Sequence, residues 1–144
     1  MLGACLFFTT SAAPAAVTKT MVIRLKSITV TSSFVDKSPK GLSRGDVIHA
    51  RFRLLNVVPQ FGRRVGAAVG SERSTYTFLS PTRATLGGTV ALPGGSIRYH
   101  ARGALGSNVP IPVVGGTGSF AGAHGRLVVG KGKTPLNTYY LTLP

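Results

Sequence analysis

The side chains able to do acid–base chemistry in this 144-residue chain are few. The carboxylates are Asp36, Asp46 and Glu72, and the imidazoles are His49, His100 and His124. Glu72 is the candidate catalytic residue. A lone carboxyl in an apolar cavity has its pKa raised by desolvation, and a basic neighbour lowers it. Neutral, it donates a proton; ionised, it steers a cation. The plainer alternative is a rim glutamate paired with Arg73. Asp46 follows Gly45 at a strand start, where an Asp commonly caps a turn by accepting backbone amides. Asp36 sits in a loop and is given no catalytic role. The three histidines stand far apart in sequence, so no metal-ligand spacing exists, and no metal or cofactor is expected. No G-x-S-x-G context for a serine nucleophile is present.

The stretch "PVVGGTGSFAGAHGRLVVGKG" (112–132) carries seven glycines and reads at first like a phosphate loop. A phosphate loop needs a helix directly after its glycines, so that amides at the helix start hold the anion. Here the following residues, "AHGRLVVGKG", are strand-like, and no Gly-Lys-Ser/Thr occurs. The better reading is a structural bend between two strands. Gly115, Gly116, Gly118, Gly122 and Gly125 supply positive φ and close backbone approach there.

The elements that must position these residues are strands. "MVIRLKSITVTSS" (21–33) alternates and is rich in β-branched residues. In "VIHARFRLLNVV" (47–58), Ile48, Ala50, Phe52 and Leu54 share one face, and His49, Arg51 and Arg53 the other. "QFGRRVGAAVG" (60–70) reads as a turn and a glycine-interrupted strand, and "STYTFLS" (74–80) as a separate strand. "RATLGGTVALPGG" (83–95), "SIRYHARGAL" (96–105), "NVPIPVV" (108–114), "HGRLVVG" (124–130) and "NTYYLTL" (137–143) complete eight or nine strands. Short connections and the absence of helical periodicity predict an all-β fold, a closed antiparallel β-barrel of about eight strands. Such a barrel has room inside for side chains or one small ligand. Phe52, Tyr76, Phe78 and Tyr99 are the candidates to line a ligand cavity, Tyr76 and Tyr99 foremost, while core packing explains most of the aromatics.

The chain carries 17 Lys+Arg against 3 acids, for a net charge of +14. Such a surface attracts polyanions. The basic residues are dispersed along the sequence, so no specific nucleic-acid binding is expected. The lone Cys5 lies in "MLGACLFFTTSAAPAAV", whose short apolar run and Ala13-Pro14-Ala15 fit a cleaved secretory signal over about residues 1–16. The usual preceding Lys or Arg is missing, and a disordered N-terminal arm is the alternative. The run is too short to span a bilayer. The expectation is a secreted protein with no transmembrane segment in its mature form and one domain over residues 20–144.

Taken in order, "RGDVIHARFRLLN", "RRVGAAVGSER", "STYTFLS", "VVGGTGSFAGAHGRLVV" and "TYYLTL" resemble the allene oxide cyclase and dirigent superfamily, from about residue 22 to the end. The resemblance implies an eight-stranded antiparallel barrel with an apolar cavity, often trimeric. It also implies cyclisation or stereoselective coupling of an unsaturated or phenolic ligand. The family's chemistry carries over poorly. Glu72 takes the place of the cyclase Cys, Phe52 falls where the cyclase Asn stands, and Thr29 or Val30 falls near the cyclase carboxylate. The dirigent acid pair has no counterpart.

Two readings of function follow. In one, the barrel takes a small apolar or phenolic ligand and directs its reaction, chiefly by shape and positioning. In the other, it is a non-enzymatic secreted barrel whose basic exterior binds an anionic surface polymer or a partner protein. A homodimer or homotrimer is compatible with either, provided its interface avoids stacking the arginines of 47–55 and 96–104.

Overall fold

Strict alternation of buried and exposed residues decides the strands. In "IRLKS", Ile23, Leu25 and Ser27 are buried while Arg24 and Lys26 face solvent, the period of a half-buried strand. A computed structural model describes residues 12–144. Eight strands follow in order: β1 (Lys19–Val35), β2 (Val47–Asn56), β3 (Ala68–Ser80), β4 (Arg83–Leu92), β5 (Gly95–Ala104), β6 (Pro110–Gly118), β7 (His124–Val129) and β8 (Leu136–Leu143). Each pairs antiparallel with its sequence neighbours, and β8 pairs back onto β1. Closure leaves no unpaired edge to recruit another chain. The secretory-signal reading falls mostly outside the described residues. Residues 12–18, which are described, lie exposed ahead of β1 without regular structure.

Residues 68–80 form one strand, so the break expected between 70 and 74 does not occur. Residues 57–67 form the loop before it, closed by a single bridge between Gln60 and Arg63. This reduces the strand count to eight. Gly70 sits inside β3, where a Cβ would come within 2.1 Å of the Ala91 carbonyl oxygen. The glycine there permits close strand contact rather than ending the strand.

The two ends of the barrel differ. One end is closed over by the turn after β6. Phe120 (1% exposed) and Ala123 (2%) tuck under Val90, Ile97 and Leu141 in a single apolar cluster. The glycine stretch is therefore a strand, a tight turn and a strand, with no helix and no anion cradle. Gly118 holds φ +59°, and a Cβ there would stand 2.1 Å from the Gly94 carbonyl oxygen, so both conformation and space demand glycine. Gly122 lies in the turn. Gly115, Gly116 and Gly118, the last residue of β6, belong to that strand and Gly125 to β7, which corrects their expected place in the bend. They serve close packing instead, for a Cβ on Gly116 would meet the Phe120 carbonyl oxygen at 2.3 Å.

At the other end, the loops 36–46, 81–82, 105–109 and 130–135 surround an opening. Asp46 organises the first of them. Its carboxylate accepts the Lys37 and Ser43 amides, each at 2.7 Å, and the Ser43 hydroxyl at 3.3 Å. The Lys37 amide is the chief cause of its lowered pKa, partly opposed by desolvation. Among the described residues no helix is long and apolar enough to cross a membrane.

Candidate functional site

Register carries the inward positions from strand to strand. Glu72 on β3 stands opposite Phe52 on β2 and Val90 on β4. All three share the lumenal face, and Glu72 is only 5% exposed. Arg73, the next residue, faces solvent. The rim pairing of Glu72 with Arg73 is thereby excluded, because adjacent strand residues point to opposite faces. The carboxyl lies among apolar neighbours, and desolvation raises its pKa.

Two donors hold that carboxyl. The Tyr99 hydroxyl donates a short hydrogen bond to Oε1. The Asn137 amide approaches Oε2 at 3.5 Å and donates more firmly to the Ser27 hydroxyl at 2.8 Å. The Tyr99 bond favours the ionised form and partly offsets desolvation. In return, burial first and the carboxylate charge second push the Tyr99 phenol far above the usual tyrosine range. Tyr76 and Tyr139 are raised for the same two reasons in the same order. All three phenols therefore stay protonated at neutral pH, and that of Tyr99 acts as a donor.

Gly88 makes the Tyr99–Glu72 contact possible. It is the cross-strand partner of Tyr99, and a Cβ there would lie 2.2 Å from the phenol carbon and oxygen. The ring lies across β4 at this gap.

Three buried polar atoms in this interior have no hydrogen-bond partner: the Ser74 hydroxyl, the Asn137 carbonyl oxygen and the Tyr139 hydroxyl. Asn137 stands beside Tyr139, yet no bond of good geometry closes between them. Unpartnered buried polar atoms are uncommon and call for a partner.

A pocket of about 570 Å³ opens at the loop-rich end. Its walls include Tyr76, Leu86, Ala101, Ile111 and Pro112. Glu72 lies deeper, four residues further along β3 towards the closed end. Ser74 stands between them, opposite Ala50 and Gly88, a level of small side chains. Of the four aromatics expected around a cavity, Tyr76 lines the pocket. Phe78 is buried where loop 36–46 joins β3, its amide donating to the Asp46 carbonyl at 2.9 Å. Phe52 is half-buried beside Glu72, and Tyr99 crosses the lumen below the pocket. His49, His100 and His124 are exposed, and among the described residues no group of side chains could hold a metal.

Asn137, Ser27, Ser74, Tyr139 and Gly88 are the site residues that sequence reasoning missed. The signal was in the alternation. In "LNTYYLTL", Asn137 shares a face with Tyr139, Leu141 and Leu143, so a polar side chain falls in an otherwise apolar register.

A closed eight-stranded antiparallel barrel with a solitary interior carboxyl below an open apolar mouth defines the class. No protein-family model matches the chain, and no curated protein matches it. Solved structures do. It is similar to a pyocyanin demethylase, with 18% identity and a TM-score of 0.73, over 84% of this chain and 99% of that one. It is similar to a pterocarpan synthase dirigent protein, with 17% identity and a TM-score of 0.64, over 93% and 97%. An exo-specific intermolecular Diels-Alderase aligns at 13% identity with a TM-score of 0.67, over 89% and 100%. At these identities the likeness establishes the shared barrel fold.

Proposed function

We propose that the barrel binds a small apolar or phenolic ligand in its lumen and directs its cyclisation or stereoselective coupling, with Glu72 as proton donor and acceptor. The observation that carries this reading is Glu72 itself. It is a lone buried carboxyl, held by Tyr99, in an interior with three polar atoms that lack partners. A purely structural barrel gains nothing from leaving such groups unsatisfied. The dirigent and Diels-Alderase names of two neighbours agree with the reading.

The apolar wall of Leu86, Ala101, Ile111 and Pro112 grips the body of the ligand. Its polar end replaces the missing partners of Ser74, Asn137 and Tyr139. In its protonated form, which desolvation favours, Glu72 passes its proton to an oxygen of the ligand as a ring bond forms. Tyr99 and Asn137 then donate to the carboxylate left behind. A proton lost from ligand carbon returns to Glu72, so the cyclisation is an isomerisation with no net proton change. Closing such a ring draws mainly on orientation in a dry cavity.

The test incubates the protein and its Glu72→Gln variant with unsaturated fatty-acid and phenolic substrates, reading bound mass by native mass spectrometry and products by chiral chromatography. Bound ligand together with a Glu72-dependent product ratio is expected. An empty barrel across both substrate classes, or products indifferent to Glu72, sinks the reading.

A further inference from the structure

The barrel brings Arg51, Arg53 and Arg73, scattered in sequence, onto one face. On the outer surface of β1–β3, Arg51 stands directly opposite Arg73, with Thr31 on the far side of Arg51. The next outward row places Ser33, His49 and Thr75 side by side. These six residues line a surface depression of about 380 Å³. The His49 Nδ1 and the Thr75 hydroxyl are 3.2 Å apart. Arg53 continues the charge along β2.

Like charges facing each other across strands are normally avoided. No acidic side chain neutralises them. Of its three acidic side chains, Glu72 is inside the barrel, Asp46 is bound by loop amides, and Asp36 lies in the same loop with the Gly41 amide. Two paired guanidinium groups flanked by hydroxyls and an imidazole form a donor-rich, acceptor-poor surface.

We propose that this depression is a binding site for an anionic polysaccharide, with its sulfate or carboxylate groups seated between Arg51 and Arg73. Guanidinium forks match planar or tetrahedral oxyanions with two parallel hydrogen bonds. The hydroxyls of Thr31, Ser33 and Thr75 suit the neighbouring sugar hydroxyls. The depression holds no Phe, Tyr or Trp as a stacking platform for nucleic-acid bases, and its one ring is the small imidazole of His49. It holds no large apolar side chain to enter a lipid surface. The site lies outside the barrel wall and does not depend on the lumenal reading.

The test compares the full chain with Arg51→Ser/Arg73→Ser and with Lys131→Ser/Lys133→Ser, which removes equal charge from an exposed loop outside the depression. Binding to heparin, to polygalacturonate, to a single-stranded oligonucleotide and to phosphatidylserine vesicles is measured across a salt series. The arginine variant is expected to lose about tenfold in affinity for a polysaccharide and to show a shallower salt dependence. The lysine variant should change less than about twofold. Preference for heparin or for polygalacturonate then distinguishes sulfate from carboxylate. Equal losses in both variants would overturn the proposal, as would tighter binding to the oligonucleotide or to vesicles. Should the arginine variant fail to fold, Arg51→Lys/Arg73→Lys keeps the charge and removes the forks. It should lose affinity several-fold, and wild-type binding by it would also overturn the assignment.

Discussion

A Cβ on Gly88 would stand 2.2 Å from the phenol of Tyr99, and that phenol donates to Glu72. One absent methyl thus holds the interior hydrogen bond in place. Gly88→Ala should displace the ring and break the bond, and Tyr99→Phe removes the same donor without disturbing β4. Because the Tyr99 bond lowers the Glu72 pKa, both variants should raise it further. Carboxyl carbon NMR titration of Glu72 reads the shift directly. A titration unchanged in Tyr99→Phe would show that the bond does not control the carboxyl.

Glu72 also links stability to pH. Its folded pKa lies above the unfolded value, so its contribution is fully present below the unfolded pKa and is lost as pH rises through the folded one. Each unit of difference is worth about 1.4 kcal/mol. Glu72→Gln should therefore match the wild type near pH 4 and exceed its melting temperature above neutrality. Calorimetry from acid to alkaline pH checks the crossing.

Asp46 works in the opposite direction. Its pKa is lowered, first by the Lys37 amide, so its stabilisation is present above the unfolded pKa and is lost as pH falls through the folded one. Asp46→Asn should lower stability at neutral pH and flatten the acid limb of the same calorimetric profile. Amide hydrogen exchange at Lys37 and Ser43 should quicken in that variant.

Tyr76 stands in the pocket wall, and Ser74 and Glu72 lie beyond it. Tyr76→Ala should widen the passage from the pocket towards the carboxyl and admit longer ligands, whereas Tyr76→Phe should leave binding near wild type. Dissociation constants across a chain-length series of fatty acids would reveal the change. No difference between the two variants would mean that the ring is not the barrier.

Phe120 closes the barrel at the end away from the mouth, at 1% exposure. Phe120→Ala leaves a cavity under the β6–β7 turn and should cost about 3–5 kcal/mol. Denaturant unfolding measures it. A cost below about 1 kcal/mol would mean that the turn collapses into the gap.

Alternation and glycine placement by themselves determined an all-β barrel of about eight strands, because side-chain direction along a strand is a local property of the backbone. That was enough to send Ala50, Phe52 and Leu54 inward and His49, Arg51 and Arg53 outward. Glu72 could be singled out as one of only three acids, but its burial could not. A glutamate beside an arginine reads the same at a rim or in a lumen until closure and register place it between Phe52 and Val90. Closure and register also decided what met Glu72. Tyr99 lies 27 residues away and Asn137 65, and only cross-strand pairing over Gly88 and across the β8–β1 seam brings them to one carboxyl. The same pairing set Arg51 against Arg73, 22 positions apart in the chain and adjacent on the barrel wall. Local sequence sets which way each residue faces. The long-range hydrogen-bond ladder, which no short stretch encodes, sets what it faces.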